Sequence, residues 1–428
     1  MALMGADGHT NSAESWSSTV WDLLGRNAYQ EAWEVCRRAI AQYPDAPELL
    51  VAAGAVLMKL DRAVEAEQYV ARAAALQPES PVIWNNLGLS LRNQNRVAES
   101  LQCFEKALSL DPGWARAHYD RAFALLLSGD YRQGFSEYEH RWEANGVERP
   151  GDSDPAMRER LWRGEDPRNK RVLLYAEQGL GDTIQFLRYV ASVKARGAEV
   201  VLEVQPALRE LARRLSPGCE VRDGDAAATA FDLHCPLMTL PLIFGTTPET
   251  IPPPAVFSIQ QELQQKWRAR IPVREARNVG LVWAGNPENP MDDRRSTQLR
   301  TFERLLSQPK VRFFSFQTGS RVAEIEDERY RELIEDLSSE LNAAIDTAAA
   351  LMQMDLVITV DTFVAHLAAT LGVPVWLLLP FAPDWRWLLD REDSPWYASI
   401  RLFRQSTAGD WAGVAERVRK ALRYCDRR

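Results

Sequence analysis

Three clusters of residues in this 428-residue chain have the types and spacing to hold an anion and work on what it carries. The first is Asp361-Thr362-Phe363-Val364-Ala365-His366, which follows the apolar run Leu356 to Val360. Asp361 and Thr362 suit a helix N-terminus, where the first backbone N–H groups lack intrahelical partners and attract negative charge. His366, one turn in, adds a side-chain donor. The same pattern also describes an ordinary capped crossover whose histidine only packs. The second cluster is Gln178-Gly179-Leu180-Gly181-Asp182, again directly after an apolar run. Gly179 and Gly181 permit a tight turn and close approach of a ligand to the backbone. This is not Gly-x-Gly-x-x-Gly, so no dinucleotide is implied. The third is the polar loop beginning at Asn286 and ending in Arg294 and Arg295. It leaves a strand at the edge where open α/β sheets bind ligands. His234 stands near the end of another expected strand, where it either faces a cleft or packs. No His/Cys spacing suggests a metal, and no Ser/His/Asp arrangement suggests a hydrolase.

These residues need strands behind them, and the apolar runs supply them. Arg171 to Ala176, Glu199 to Val204 and a run from Phe231 read as strands of a small α/β half over 171–255. After a connection at 256–277, a second α/β half spans 278–405, with strands at 278 onward, 311–316, 356–360 and 375–379. Gly372 and Pro374 stop the helix that follows Thr362. The acidic stretch 324–340 reads as a solvated face. An amphipathic helix from Trp411 to Arg423, within a terminal segment 406–428, is expected to cross back over the first half.

The front of the chain repeats. Pro44, Pro78 and Pro112 stand 34 residues apart (78 − 44 and 112 − 78), and Ala39, Ala73 and Ala107 keep that step. The copy from Pro81 places Trp84, Leu87, Gly88, Phe104, Ala107 and Pro112 in the pattern of a tetratricopeptide repeat. Three copies and a degenerate fourth, from Ala115 to Trp142, predict a helical solenoid over 13–145, which either takes an extended polypeptide partner in its concave face, the more frequent use, or serves only as a spacer. Residues 1–12 read as a frayed tail, and the Pro- and charge-rich 146–170 as a linker on which Leu161 and Trp162 can dock.

Composition narrows the class. A net charge of −8 argues against nucleic acid or an anionic membrane as the main partner. No apolar run is long enough to span a bilayer, and the first residues lack the basic start and apolar core of a signal peptide. Five scattered cysteines fit a reducing cytoplasm.

Taken together, the two α/β halves resemble the GT-B architecture. The Gly179-to-Asp182 loop and the Asp-Thr-x-x-x-His of Asp361 to His366 are similar to motifs of heptosyltransferase-like, family nine glycosyltransferases. The resemblance covers nearly the whole chain and is nearest to bacterial proteins that fuse tetratricopeptide repeats to such a domain. It implies an α-solenoid followed by a GT-B fold of two Rossmann-like halves. It also implies an inverting, metal-independent transferase with no cofactor beyond a nucleotide-diphosphate sugar donor. On that reading Asp182 is the general base, unless it only caps the helix expected to start at Thr183. Thr362, Phe363, Val364 and His366, with Arg294 and Arg295, would hold the diphosphate. Gln178, Gly179, Gly181, Asn286 and His234 are the other candidate contacts to donor or acceptor, and Asp361 either joins them or, the favoured role, fixes the turn. Phe363 stands where that family carries a small residue, and arginines stand where it uses lysine, so a heptose donor is not implied. The acceptor expected is a polypeptide, flagellin or another surface protein, recruited by the repeats. The alternatives are a scaffold that has lost turnover, and a transferase acting on a glycan or lipid-linked saccharide.

Overall fold

The computed structural model describes residues 12–222, 230–289 and 291–424. The chain divides into two compact units: residues through Ser128 with His140–Gly146 form one, and Gly129–Glu139 with the chain from Val147 onward form the other. The expected tail lies outside the described residues except for Ser12, whose hydroxyl accepts from the Ser15 N–H and caps the first helix.

The first unit is built from antiparallel helix pairs: Ala13–Gly25 with Tyr29–Gln42, Pro47–Lys59 with Ala63–Leu76, and Pro81–Arg92 with Val97–Leu110. Ala115–Ser128 follows as the first helix of a fourth pair. The turn inside each pair needs one left-handed residue. Asn27, Asp61, Asn95 and Gly129 fill it with φ of 59°, 58°, 61° and 91°, again at the 34-residue step. The fourth repeat is therefore in register in its backbone although its side chains have drifted.

Small residues set how closely paired helices approach. A Cβ at Gly54 would stand 2.3 Å from Val70 Cγ2, and one at Gly88 would stand 2.7 Å from the Phe104 ring. On an open helix, Gly→Ala gains up to about 1 kcal/mol. At Gly54 the stiff β-branched Val70 cannot swing aside, so overpacking of about 1–3 kcal/mol reverses the sign. Gly54→Ala is expected to lower the stability of the repeat unit, and to raise it when Val70→Ala is already present. Chemical denaturation of the four proteins checks this; a gain from Gly54→Ala alone would refute the close approach.

The second unit holds two all-parallel sheets. β1 (Arg171–Tyr175), β2 (Glu199–Glu203), β3 (Glu220–Val221) and β4 (Leu233–Pro236) are ordered β3-β2-β1-β4. β5 (Arg277–Val282), β6 (Val311–Ser315), β7 (Ile334–Asp336), β8 (Leu356–Val360), β9 (Val375–Leu379) and β10 (Ile400–Arg404) are ordered β10-β9-β8-β5-β6-β7. β8 and β9 are buried along their whole length, as strands covered on both faces must be. Each order reverses once, between β1 and β4 and between β5 and β8. Ligands of open parallel sheets bind in the crevice at such reversals, beyond the carboxyl ends of the strands. The loops after β1, β5 and β8 are those that carry the three clusters.

Several expectations need correction. The stretch 324–340 is not simply a solvated face: it contains edge strand β7, whose Glu335 pairs with Arg270 and Arg312. The terminal helix, Trp411–Tyr424, does not cross the first half. Val414, Val418 and Leu422 join the core of the six-stranded sheet with Leu281, Phe302 and Ile358. Leu161 and Trp162 do dock: Leu161 bridges His234 in parallel, and the Trp162 N–H donates to the His234 carbonyl at 2.9 Å. The helix Tyr131–Tyr138, second of the fourth repeat, belongs to this unit. The Tyr131 hydroxyl accepts from Trp396 Nε1 at 3.0 Å, and Phe135 lies edge-on to Trp385. Among the described residues no helix is long and apolar enough to cross a membrane.

Candidate active site at the facing carboxyl edges

The helix that carries His366 spans Phe363–Thr370. Thr362 is its N-cap, extended at φ −142° and ψ 169°, which leaves the first N–H groups of the helix facing away from its body. The Thr362 hydroxyl meets that of Thr359 at 3.1 Å. Gly372, at φ +75°, ends the helix, and the Val373 N–H returns to the Ala368 carbonyl.

The second helix of the site spans Leu180–Phe186 and so begins before Thr183. Its N-cap is Gly179, with φ −67°, and Asp182 is the third helical residue. Asp182 Oδ2 accepts from the Gly179 N–H at 2.9 Å, closing one half of a capping box. Neither glycine takes up a left-handed conformation. Gly181 is small for another reason: a Cβ there would stand 2.8 Å from His366 Cδ2. The close approach read from Gly-x-Gly is made by the His366 ring of the other half.

Around that contact lies a buried ionic network that the motifs did not announce. Arg386, on the 3₁₀ turn Trp385–Trp387 beyond β9, donates through Nη2 to Asp182 Oδ1. Its Nε donates to Gln185 Oε1 at 2.6 Å and its Nη1 to Asp384 Oδ1 at 2.9 Å. Burial opposes the charge on Arg386, but Asp384 and Asp182 more than offset that and hold its proton more firmly than water does. Trp387 Nε1 donates to Asp361 Oδ2 at 2.8 Å, while Asp361 Oδ1 is 3.8 Å from His366 Nε2. Burial, reinforced by Asp384, pushes the Asp361 carboxyl up to about 6. Burial, with Arg386, Arg188 and Arg295 nearby, drives His366 well below its usual range, so its ring is neutral at pH 7. His366 Nδ1 is 3.1 Å from the Tyr397 hydroxyl. When that phenol donates, the imidazole carries its proton on Nε2.

Arg295 ends the short turn Asp292–Arg295; its guanidinium lies over Gly285 and its Nε reaches Asp292 Oδ1 at 3.2 Å. It is close enough to stabilise the Asp361 carboxylate and to oppose a charge on His366. The structure therefore brings together Gly181, Asp182, Asp361, Thr362, His366 and Arg295 at the facing carboxyl edges of the two sheets. Phe363 and Val364 contribute their backbone, and the part-exposed Arg294 sits on the same turn as Arg295.

Three expected contacts go elsewhere. His234 Nε2 is 2.9 Å from the Met157 carbonyl, and its ring lies tilted on Tyr175, so it secures the incoming linker instead of lining a cleft. Asn286 folds its Oδ1 onto the Glu288 N–H at 3.1 Å and shapes its own loop. Gln178 donates to the Tyr138 hydroxyl at 2.7 Å, and its carbonyl accepts from Gln205. Arg386, Gln185, Asp384, Trp387 and Tyr397 are the site residues that motif reading missed. The signal available was position alone: Asp384-Trp385-Arg386-Trp387 follows β9 at the same sheet edge. Among the described residues no group of three or more His, Cys, Asp or Glu is placed to hold a metal ion.

Comparison with known proteins decides the nature of the first unit. Residues 23–87 and 81–113 match tetratricopeptide-repeat models. This segment is a tetratricopeptide array. Repeats of this kind serve protein–protein interaction. Over 334 residues the chain is 29% identical to Protein FlbA of Caulobacter vibrioides, a match covering 72% of this chain and 55% of that protein. The chain thus spans about half the length of the curated relative it matches, and the matched share exceeds the repeat array, so the likeness reaches into the α/β unit. Solved structures similar to the array include MamA from residue 41 onward of Desulfovibrio magneticus RS-1, 22% identical, covering 33% of this chain and 79% of that one, with a TM-score of 0.28. Another is YrrB, a tetratricopeptide protein with an unusual peptide-binding site, 20% identical, covering 32% and 71%, with a TM-score of 0.28.

Proposed function

We propose that the α/β unit is a GT-B, inverting, metal-independent glycosyltransferase that takes a nucleotide-diphosphate sugar, and that the tetratricopeptide array recruits a polypeptide acceptor to it. Flagellin or another surface protein modified in the cytoplasm is the acceptor class we infer. The observation that supports this reading is the convergence of the loops after β1, β5, β8 and β9. Gly181, beside Asp182, lies against His366 of the Phe363–Thr370 helix, and Arg295 is near enough to act on Asp361 and His366.

In such a transfer the acceptor hydroxyl attacks the anomeric carbon as the bond to the diphosphate breaks, and its proton passes to a base. Asp182 already accepts from Gly179 and Arg386, but an ionised carboxylate has about four acceptor positions, and those remaining can take the acceptor O–H. The departing diphosphate gains negative charge, which the Phe363 and Val364 N–H groups, the Nε2–H of neutral His366 and Arg295 are suited to hold. A neutral His366 donates without the desolvation cost of a buried imidazolium.

One observation favours a second reading. Both oxygens of Asp182 are engaged, Oδ2 by its own helix and Oδ1 by Arg386, which also fits a scaffold that binds nucleotide without turnover. Assay of transfer and donor hydrolysis across a panel of nucleotide sugars separates the two. Asp182→Asn is expected to keep donor binding and lose turnover by at least about a hundredfold. Arg295→Ala is expected to weaken nucleotide-diphosphate binding about tenfold or more, with little effect on the nucleoside. Equal effects of Arg295→Ala on both ligands would remove that residue from the diphosphate site, and absence of turnover with every donor would leave the scaffold.

A further inference from the structure

A cavity of about 550 Å³ opens at the far edge of the six-stranded sheet, between β10, the loop residues 390–392 and the terminal helix. It contains none of Asp182, Arg295, Asp361, His366 and Arg386, although its residues 390–392 belong to the same loop after β9 that carries Arg386. Its volume falls within the range of small-molecule sites, about 300–1,000 Å³. Of its ten lining residues, five are arginine or lysine.

Two of these five are neutralised locally. Arg391 makes a two-pronged contact with Asp393, at 2.7 Å on each arm, and Arg401 reaches Glu392 at 3.2 Å. The other three are less fully paired: Asp390 is near Arg404 without an ion pair to it, and the acid beside Lys420 is shared with Arg419. Arg404 donates to the carbonyls of Arg391 and Trp387, at 3.1 and 2.6 Å, and its Nη1 is buried without a hydrogen-bond partner. Arg417 donates to the Arg404 carbonyl. Lys420 is 3.8 Å from Glu416, a carboxylate already held on both oxygens by Arg419. Burial pulls Arg404 down to about 10, with Asp390 the one neighbouring acid that works the other way. It therefore remains a cation at pH 7. A half-buried guanidinium hydrogen-bonded only to carbonyls beside an open cavity carries a cost that Asp390 offsets in part, and a bound anion would offset the rest.

We propose that this cavity is a second anion site, which takes a small soluble phosphate-bearing molecule held by Arg404, Arg417 and Lys420. The volume exceeds what one phosphate fills, so the rest of the ligand lies along the apolar rim at Leu402, Phe403 and Ala421. The site has a route to the convergent loops. The Trp387 carbonyl accepts from Arg404, and the indole of the same residue donates to Asp361.

The test is calorimetric titration of the full chain with inorganic pyrophosphate and with inorganic phosphate, at constant ionic strength, using sulfate as control. The wild-type protein and Arg295→Ala are expected to bind pyrophosphate at this site alike. Arg417→Gln with Lys420→Gln, both exposed positions that leave the core intact, is expected to weaken that binding at least tenfold. No binding by the wild-type protein overturns the proposal. So does equal binding by the double variant, equal response to sulfate, or binding that Arg295→Ala removes and the double variant retains.

Discussion

Arg386→Met is expected to lower the stability of the α/β unit by about 3–5 kcal/mol, the usual cost of deleting one partner from a buried ion pair. The guanidinium, with only 8% of its side chain exposed, joins Asp182 and Gln185 of the glycine-loop helix to Asp384 beyond β9. A methionine of similar length fills the space but leaves two carboxylates facing each other and raises the proton affinity of Asp361, which Arg386 now lowers. In a unit of this size the loss corresponds to a fall in Tm of roughly 6–15 °C. Calorimetric unfolding of the variant measures it, with any separate transition of the repeats as internal reference. A fall of less than about 2 °C would mean that Arg386 offsets little more than its own burial.

Asp361→Asn is expected to change the pH dependence of stability rather than its value at one pH. In the unfolded chain this carboxyl ionises near the ordinary pKa of about 3.9, whereas in the folded protein burial holds its proton until about pH 6. Between those values the folded state binds more protons, so stability declines as pH rises through the window. Asparagine keeps the acceptor for Trp387 and never ionises. The variant should therefore gain on the wild type by roughly 2–3 kcal/mol between pH 4 and pH 7, at 1.36 kcal/mol per pKa unit. His366 has the opposite sense: its folded pKa is depressed, so its contribution is lost as pH falls below about 6.5. It is present in both proteins and largely cancels in the difference. Parallel curves of Tm against pH would show that Asp361 is ionised in the fold throughout this range.

Much of the architecture was legible because it is written in periods. The 34-residue step of Pro and Ala announced the array, and short apolar runs announced strands β1, β2, β5, β6, β8 and β9. The three-residue β7 was hidden because an edge strand whose Glu335 serves two arginines has no apolar alternation to display. The terminal helix was recognised as amphipathic, but amphipathicity does not say which sheet the apolar face will meet. At the candidate site, Asp182, Asp361, His366 and Arg295 were singled out because each stands on a loop or in a helix that directly follows a strand. Arg386 was missed because it sits among tryptophans, a composition that reads as core. His234 was left open between facing a cleft and packing, and it packs; a four-residue β4 offers no periodicity from which to decide.

The helix Tyr131–Tyr138 has a consequence for how this protein can be taken apart. By period it ends the array; by its bonds to Trp396 and Gln178 it is a wall of the other body. A fragment starting at residue 147 would bare two tryptophan faces to water and strip a phenol from the glycine loop. Any swap of one array for another, by cloning or by descent, must therefore leave residues 129–139 with the domain they serve. The exchangeable cassette is three and a half repeats, not four.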